Sequence, residues 1–365
     1  MDKGPYLEAL ETEARRRGID LAVCHVGKMM YAEAPDVPAG RILNLPITRL
    51  NALRRAVFKE ILGTAEKHRH VVVNTHATFR WKHGLFAAFD FDQIKAFKAD
   101  FYLTLVDNVE AVHGRLLRDH DIDHVLKDVM VWREEEVLAT EIIANMLKGY
   151  GHFFMMSRGR QAMTTGPLFR LLFEPQRKKT YLSFPMSHVM DLPDTLAEIQ
   201  QFKRTFEEHF TCFDPAEVDE FALHAMALRA LQEGRTTIEV PGPHGPLALK
   251  TAEVAQISGD ILGQIYARDF KMIDQSDMIV SLIPELPGGK PALSSGVERE
   301  LHHAFEAGKE VYVVWRCGAM PSPFVSETAT KVFRTTDEAI TYFREKNHLP
   351  AASAANAKSS GELFE

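Results

Sequence analysis

The chain has 365 residues, which is enough for two domains with separate hydrophobic cores. Its formal net charge of −7 disfavours a general nucleic-acid binder, because no long run of lysine and arginine offsets the acidic excess. No apolar run approaches the roughly 20 residues that cross a bilayer, so neither nucleic acid nor membrane is expected as a partner.

The N-terminus and the cysteines indicate a reduced, cytoplasmic setting. The opening MDKGPYLEALETEARRRG lacks the basic-then-apolar order of a signal peptide. Cys24, Cys212 and Cys317 are widely spaced and form no CxxC pair. We therefore expect neither a disulfide framework nor a zinc site.

Strands and helices alternate through the first 150 residues. A first helix is predicted over YLEALETEARRRG, with Gly18 in its C-terminal cap. Strands are predicted at IDLAVCHVG, HVVVNTH and FYLTLVDN, and helices at ITRLNALRRAVFKEILGTAEKH and VEAVHGRLLRDH. This alternation predicts an α/β domain over residues 1–150, with three layers, a mainly parallel sheet and ligands at the carboxyl ends of the strands.

A stretch rich in glycine, KGYGHFFMMSRGRQAMTTGP (148–167), interrupts this pattern, so we place a linker at 151–175. A second α/β domain is predicted over 176–348. Its strands are RKKTYLSFP, SDMIVSLIP and EVYVVWR, its helices include TLAEIQQFKRTFEEHF and AEVDEFALHAMALRALQEG, and TTIEVPGPHGPLALKT predicts an inserted hairpin. The small, polar tail over 349–365 is predicted to be disordered.

Three segments of the first block, VVVNTHATF, LRRAVFKEI and LTLVDNVEAVHGRLLRD, are similar to parts of a known family. The block resembles the archaeal-type adenylate kinases and related P-loop nucleotide kinases. This resemblance implies that Arg54, Arg55, Arg115 and Arg118 contact the phosphates of a nucleotide. A solvated basic face explains the same four arginines equally well.

The first block departs from those kinases because it has no P-loop. Such a loop needs G-x-x-x-x-G-K-[S/T], whose backbone N–H groups wrap the phosphates while the lysine reaches their outer oxygens. The string occurs nowhere in the chain, and the strand that should precede it is also missing. We expect no ATP binding in the kinase manner unless coding sequence upstream of Met1 supplies the loop.

Histidines in the first block give weaker indications. His120 and His124 lie one helical turn apart in RDHDIDHV, which is a metal-ligand spacing, but no third ligand accompanies them. His76 ends a predicted strand, where active groups often lie. A solvated helix end and a satisfied core or rim histidine explain these residues without a site, and neither a metal nor a cofactor is predicted.

The segment SSGVERELHHAFEAGKEVYVV is predicted to be a helix between two buried strands. Ser295 and Glu298 have the spacing of a capping box, which places the N-cap at Ser295 and gives Glu298 a structural role. The apolar positions that follow helical spacing should face the sheet, namely Val297, Leu301, Ala304 and Phe305.

Glu300 has no such structural explanation. It lies one turn into the helix, beside the buried stripe, at the sheet edge where open α/β folds bind ligands. The positive end of the helix dipole would keep its carboxylate ionised, as a nucleophile requires. The pattern alone leaves two interpretations open, a nucleophile and a rim salt bridge.

Three segments of the second block, TYLSFP, YARDFKMIDQSDMIVSLI and SSGVERELHHA, occur in the order of a second family. The block resembles the nucleoside 2-deoxyribosyltransferases and the related deoxynucleoside monophosphate N-glycosidases. The resemblance implies a flavodoxin-like fold, a nucleophilic Glu300 and a base-contacting Asp269. It also implies substrate contacts at Asp277 and at Ser294 or Ser295, with Gly296 in the same turn. Tyr181 fits a pocket residue and a core tyrosine equally well, an aspartate before a strand such as Asp277 often caps a turn, and Lys290 is either a phosphate contact or a solvated loop lysine.

The second block also departs from that family. The segment PELPGGKPALSS is longer than a tight strand-to-helix connection, and Phe184 before Pro185 replaces the family's opening glycine. His302 and His303 stand where the family often has a glycine and a bulky residue. The mouth of the implied pocket is therefore expected to be remodelled.

Three functions remain open at this point. The first is cleavage or exchange of the N-glycosidic bond of a nucleoside or nucleotide through a covalent glycosyl–Glu300 intermediate. The second is a non-catalytic nucleotide sensor built from two degenerate nucleotide-handling domains, and the third is a nucleotide kinase whose loop is encoded upstream. Because the resembled transferases usually share pocket residues between subunits, we expect a homo-oligomer.

Overall fold

The structure is a computed structural model that describes residues 3–81, 84–120, 124–159, 164–186, 189–218, 220–242 and 245–349. The described chain is mixed α/β and divides into two compact units. Unit 1 comprises Met1–Phe169 and Ala216–Arg268, and unit 2 comprises Arg170–Pro215 and Asp269–Glu365. Within the described ranges no helix has both the length and the apolar character needed to cross a membrane.

Helices and strands alternate along most of the chain. The first part contains α1 (Gly4–Arg16), β1 (Leu21–His25), α2 (Val26–Glu33), α3 (Ile47–Ala65), β2 (His70–Asn74), β3 (Thr78–Trp81), β4 (Gly84–Ala87), α4 (Phe91–Phe97), β5 (Tyr102–Val106), α5 (Val109–His120), α6 (Leu126–Leu147), β6 (Phe153–Ser157) and α7 (Thr165–Phe173). The middle part contains β7 (Lys179–Ser183), α8 (Pro193–His209), β8 (Thr211–Phe213), α9 (Phe221–Gln232), β9 (Thr237–Gly242), β10 (Gly245–Lys250), α10 (Thr251–Gln256) and α11 (Ser258–Asp274). The last part contains β11 (Met278–Ile283), β12 (Glu285–Leu286), β13 (Lys290–Pro291), α12 (Ser295–Glu306), β14 (Glu310–Trp315), α13 (Pro323–Ser326), β15 (Lys331–Phe333) and α14 (Thr336–Glu345).

The first helix ends as its sequence predicts. Gly18 has a φ of +69°, a left-handed conformation that glycine adopts without a steric penalty. Its N–H donates to the carbonyl of Arg15, and the N–H of Ile19 donates to the carbonyl of Ala14. These bonds satisfy the last carbonyls of α1, so the predicted glycine cap is confirmed.

Strand pairing in unit 1 is partly parallel and partly antiparallel. β1 pairs with β2 and β5 pairs with β6, both in parallel, whereas β3 with β4 and β9 with β10 form antiparallel hairpins. The hairpin predicted at TTIEVPGPHGPLALKT is therefore confirmed. The segment 151–175, predicted to be a linker, instead contains β6 and the whole of α7. The apolar run FFMM forms a largely buried strand despite the glycines around it.

The predicted boundary of the second domain is also wrong, because residues 216–268 belong to unit 1. The reason is a shared hydrophobic core. Leu126 and Met130 on α6 belong to the same buried cluster as Ala227 on α9, Ile238 on β9 and Val254 on α10. Helical and strand periodicity predicted these elements but could not identify the core that they complete.

A buried ionic network lies in the same part of unit 1. Glu220, which is 0% exposed, accepts a hydrogen bond from the backbone N–H of Val109 at 2.8 Å. Its two carboxylate oxygens also accept from the guanidinium of Arg133 at 2.6 and 3.0 Å, and Arg268 lies 3.6 Å away. Burial alone would raise the pKa of Glu220, but the two arginines outweigh burial and lower it. The network thus holds an ionised carboxylate at the start of α5.

Unit 2 is built on one parallel sheet of five strands in the order β15-β14-β11-β7-β8. In chain order the strands lie 5-4-3-1-2, which is a doubly wound arrangement. β11 is buried along its whole length, as central strands of parallel sheets are. The order reverses between β7 and β11, and such a switch point is where ligands bind at the carboxyl edge of the sheet. The predicted tail over 349–365 lies outside the described residues except for Leu349.

Candidate active site

The helix that carries Glu300 begins one residue earlier than predicted. Ser294 is the N-cap of α12, and its Oγ accepts a hydrogen bond from the N–H of Val297 at 3.2 Å. The capping box between Ser295 and Glu298 is therefore wrong, since the third helical residue is the apolar Val297, which cannot reciprocate. Glu298 is exposed.

One face of α12 packs against β11 and β14. Val297, Leu301 and Ala304 are buried on that face, as their spacing predicts. Phe305 was expected there too, but its side chain is 50% exposed. Consecutive helical residues differ by about 100° in direction, so Phe305 turns away from the sheet that Ala304 contacts.

Glu300 points toward the sheet rather than outward. Its Oε1 accepts a hydrogen bond from Tyr181 Oη at 2.8 Å, and its Oε2 accepts from Ser183 Oγ at 2.6 Å. Tyr181 and Ser183 lie two residues apart on β7, and alternate strand residues share a face. The rim salt bridge that the sequence left open for Glu300 is thus replaced by two hydroxyl donors from the sheet.

These contacts lie at the switch point of the sheet. Ser183 ends β7, and its partner in the parallel register is Ser281 on β11. The hydroxyl of Ser281 donates to that of Ser183 at 3.3 Å. Glu300 is therefore held where the strand order reverses, which is the location expected for a ligand site.

Asp269 lies close enough to act on Glu300 electrostatically. Burial, followed by the negative charge of Asp269, raises the pKa of Glu300 from its usual 4.5 to about 8, while hydrogen bonds from Ser183 and Tyr181 act in the opposite direction. Burial and the same charge also raise the pKa of Tyr181. The raised pKa favours the protonated carboxyl at neutral pH, in contrast to the bare anion that the helix dipole alone predicts. Desolvation and a like charge outweigh the helix dipole and the two donors.

The structure places Asp277 away from Glu300, at the opposite edge of the sheet. Asp277 precedes β11 and therefore lies where the strands begin. Its Oδ2 accepts from the backbone N–H of Lys179 at 2.8 Å, and the Lys179 ammonium lies 3.1 Å away. These contacts join the starts of two strands, so the implied substrate contact at Asp277 has a structural explanation instead.

The remaining residues implied by the transferase resemblance lie around the start of α12. Ser295 and Gly296 are its first two residues, and both are exposed. Lys290 is exposed on β13, which forms a short antiparallel pair with β12 within the extended segment PELPGGKP. Ser294 is half-buried, and its hydroxyl oxygen already serves as the helix cap.

The four arginines implied by the kinase resemblance form no common phosphate site among their described contacts. Arg54 is buried and donates to the carbonyl of Ala87, whereas its neighbour Arg55 pairs with Asp90 at 2.7 Å. Arg115 is buried against Asp107 at 2.6 Å. The fourth arginine, at position 118, is exposed.

Three of the histidines singled out by the sequence have local partners. His76 Nδ1 lies 2.8 Å from Glu136, and burial lowers its pKa to about 4, which fits a satisfied histidine at the rim of the core. His303 Nε2 lies 2.7 Å from Asp274, and its ring stacks on Phe270. His302 is 51% exposed near Glu306.

The histidine pair considered in RDHDIDHV falls partly outside the described residues. The side chain of His120 lies outside the described residues, as do residues 121–123, and His124 follows them. Across the described part of the chain, no grouping of three or more His, Cys, Asp or Glu side chains is placed to hold a metal ion. Cys24, Cys212 and Cys317 are all buried free thiols.

Sequence reasoning missed three residues around Tyr181 and Glu300. Ser183 and Ser281 form the hydroxyl contacts described above, and Asp214 follows β8 at the same sheet edge. Asp214 forms an ion pair with the buried Lys203 on α8 and contributes to the raised pKa of Tyr181. The alternation of side chains along TYLS places Ser183 on the same sheet face as Tyr181. This alternation was the signal in the sequence that could have identified Ser183.

The raised pKa of Glu300 predicts a specific pH dependence of stability. Between pH 4.5 and about 8 the folded protein keeps a proton that the unfolded chain has lost. Stability should therefore fall with rising pH in that window relative to the Glu300→Gln variant, with a limiting slope of about 1.4 kcal/mol per pH unit. Urea denaturation of both proteins from pH 5 to 9 measures this difference. A Glu298→Gln variant, altered at an exposed site on the same helix, should parallel the wild type, and a parallel curve for Glu300→Gln contradicts the assignment.

A comparison of the sequence with protein-family models finds no matching family, and a comparison with curated proteins finds no significant match.

Proposed function

We propose that unit 2 cleaves or exchanges the N-glycosidic bond of a nucleoside or nucleotide through a covalent intermediate on Glu300. One observation carries the proposal. Glu300 is held by Tyr181 and Ser183 at the switch point, with the charge of a second carboxyl, Asp269, acting on it. Cleavage of a glycosidic bond requires two adjacent carboxyls, one that reacts as an ionised nucleophile and one that donates a proton.

The strand order of unit 2 supports the same proposal. Counted from its first strand, the sheet reads 2-1-3-4-5, the order of flavodoxin-like folds. That is the fold implied by the resemblance to nucleoside 2-deoxyribosyltransferases. The family likeness remains part of the proposal, together with a homo-oligomeric, cytoplasmic protein.

The first chemical step is displacement of the base. At neutral pH the Glu300–Asp269 pair holds one proton, and the reacting form carries it on Asp269. A carboxylate oxygen of Glu300 bonds to C1′ of the sugar while the C1′–N bond breaks. The electron pair of that bond goes to the base, which takes the proton from Asp269.

The second step releases the sugar from Glu300. Water attacks C1′, the bond from C1′ to the Glu300 oxygen breaks, and the electron pair returns to the carboxylate. Asp269 accepts the proton of the attacking water, which restores the starting protonation of the pair. If a second base attacks in place of water, the outcome is exchange of one base for another.

A substrate panel tests the proposed function. Ribonucleosides, deoxyribonucleosides, their 5′-monophosphates and NAD are incubated with the protein, with and without a second free base, and chromatography detects released and exchanged bases. At least one compound should release its base with multiple turnovers. Because the reacting pair must hold one proton, the rate should fall as pH rises through about 8.

An Asp269→Asn variant sharpens this pH prediction. The substitution removes the like charge beside Glu300, so the pKa of Glu300 should fall, and it also removes the proton donor. Its rate should be lower and should rise with pH as Glu300 ionises, which inverts the alkaline dependence of the wild type. The same alkaline decline in both proteins contradicts the assigned roles.

The regulatory alternative gives a different outcome in the same panel. A nucleotide sensor would show a ligand-dependent rise in melting temperature with no base released from any compound. The kinase alternative receives no support from the contacts of Arg54, Arg55 and Arg115, and β1 passes directly into α2 at Val26. Multiple-turnover base release excludes the sensor as the whole function.

A further inference from the structure

Two buried serines lie behind Glu300 on neighbouring strands. Ser183 on β7 and Ser281 on β11 are both 0% exposed and occupy paired positions in the parallel register. The hydroxyl of Ser281 donates to the hydroxyl of Ser183 at 3.3 Å, and the hydroxyl of Ser183 donates to Glu300 Oε2 at 2.6 Å. The contacts form a continuous chain from the centre of the sheet to the carboxyl.

The sheet itself does not need these hydroxyls. Ser281 lies in the strand MIVSLI, where every other residue is apolar and buried. Burying a hydroxyl costs free energy that an alanine or valine at the same position would not cost. Hydrogen bonds between the two hydroxyls, and from Ser183 to Glu300, offset this cost. The two hydroxyls therefore serve the Glu300 carboxyl rather than the stability of the sheet.

The series of hydrogen bonds from Ser281 through Ser183 to Glu300 also has a direction. A serine hydroxyl has one proton to donate and two lone pairs to accept with. Because Ser183 accepts from Ser281, the proton of Ser183 is directed at Glu300. Tyr181 donates to the other carboxylate oxygen at 2.8 Å. An ionised carboxylate can only accept, so both donors match the anionic form of Glu300.

We propose that Ser183 and Ser281 are positioning residues, which together orient Glu300 and favour its ionised form in the reacting Glu300–Asp269 pair. This inference rests on the proposed function of Glu300 as a nucleophile. Ser183 acts directly on the carboxylate, whereas Ser281 acts through Ser183 by directing its proton. The two serines counteract burial and the charge of Asp269, which both favour the neutral carboxyl.

The test measures the proton affinity of Glu300 without requiring turnover. Protein labelled with ¹³C at the glutamate carboxyls is titrated by NMR, and the Glu300→Gln variant assigns the signal. The Ser183→Ala substitution removes a hydrogen bond to a charged group. The titration midpoint of the Glu300 carboxyl should therefore move upward by about one pH unit. Ser183→Cys, which keeps the shape and a weak donor, should give an intermediate midpoint. Ser281→Ala should shift it in the same direction by less.

Ser276→Ala is the matched control. Ser276 is also buried in unit 2, but its hydroxyl donates to the carbonyl of Met272 at 2.7 Å and not to Glu300. In Ser276→Ala, the titration midpoint of Glu300 and the kcat should equal those of the wild type. In Ser183→Ala, kcat should fall about tenfold with KM little changed, because the interaction acts on the reacting form of the pair.

The outcomes separate this inference from the proposed function. Base release by the wild type, with midpoints in Ser183→Ala and Ser281→Ala equal to the wild-type value, overturns the positioning roles alone. Shifted midpoints with no base released from any compound contradict the proposed function instead. Base release together with the graded shifts supports both.

Discussion

Replacement of Glu300 by glutamine is expected to lower base release by about 1,000-fold or more, because the variant has no carboxylate to bond to C1′. The glutamine amide has nearly the same shape, and its oxygen can still accept from Tyr181. Substrate should therefore bind with little change in affinity, and the loss should appear in kcat. Steady-state kinetics on the best substrate of the panel measure both quantities.

Direct detection of the intermediate strengthens this prediction. Wild-type protein quenched in acid during turnover and digested with pepsin should yield a peptide containing Glu300 that carries the mass of the transferred sugar. The Glu300→Gln variant should yield only the unmodified peptide. Glu298→Gln serves as control, since Glu298 is exposed on the same helix and should retain both activity and adduct. Wild-type rates in Glu300→Gln would remove this residue from the mechanism.

Replacement of Glu220 by alanine is expected to destabilise unit 1 by about 3–5 kcal/mol. The substitution leaves the guanidinium of Arg133 buried without its carboxylate, and it removes the acceptor of the Val109 N–H at the start of α5. A buried charge without its partner costs far more than the pair contributes when intact. Urea denaturation followed by circular dichroism measures the change in free energy of unfolding.

Glu220 is also the N-cap of α9, and the other end of α9 provides a matched control. Glu233 caps the C-terminal end of α9 and pairs with Arg235 across an exposed contact, with both side chains about half exposed. Its replacement by alanine should cost about 0–1 kcal/mol. Equal effects of the two substitutions would show that the Glu220 network contributes no more than a surface pair. Because the folded-state pKa of Glu220 is lowered, its stabilising contribution should also disappear as the pH falls below the usual carboxyl range.

The strands of unit 2 could be predicted because their signal is local. TYLSFP, SDMIVSLIP and EVYVVWR are short apolar runs bounded by polar residues, and they form β7, β11 and β14. Glu300 was identified for a related reason, since neither helix capping nor core packing explains a carboxylate at that position. Both inferences need only neighbouring residues.

The environment of Glu300 could not be predicted in the same way. The side-chain alternation of β7 assigns Ser183 to the face of Tyr181, but only the packing of α12 on the sheet brings a carboxyl to that face. The helix dipole was visible in the sequence, whereas the desolvation and the charge of Asp269 that raise the pKa depend on tertiary structure. Likewise, the periodicity of α9 shows that one face is apolar but not that α6 covers it.

The division of the units has a consequence for how the protein is made. The chain passes between them after Phe169, after Pro215 and after Arg268, so no single cleavage releases either unit intact. During synthesis unit 1 cannot close its core until Arg268 has left the ribosome, by which time β7 and β8 have already emerged without β11 and β14. The apolar faces of β7 and β8 therefore remain uncovered until β11 and β14 have been synthesised. Nascent chains halted before about residue 268 should therefore be the species that chaperones and proteases engage.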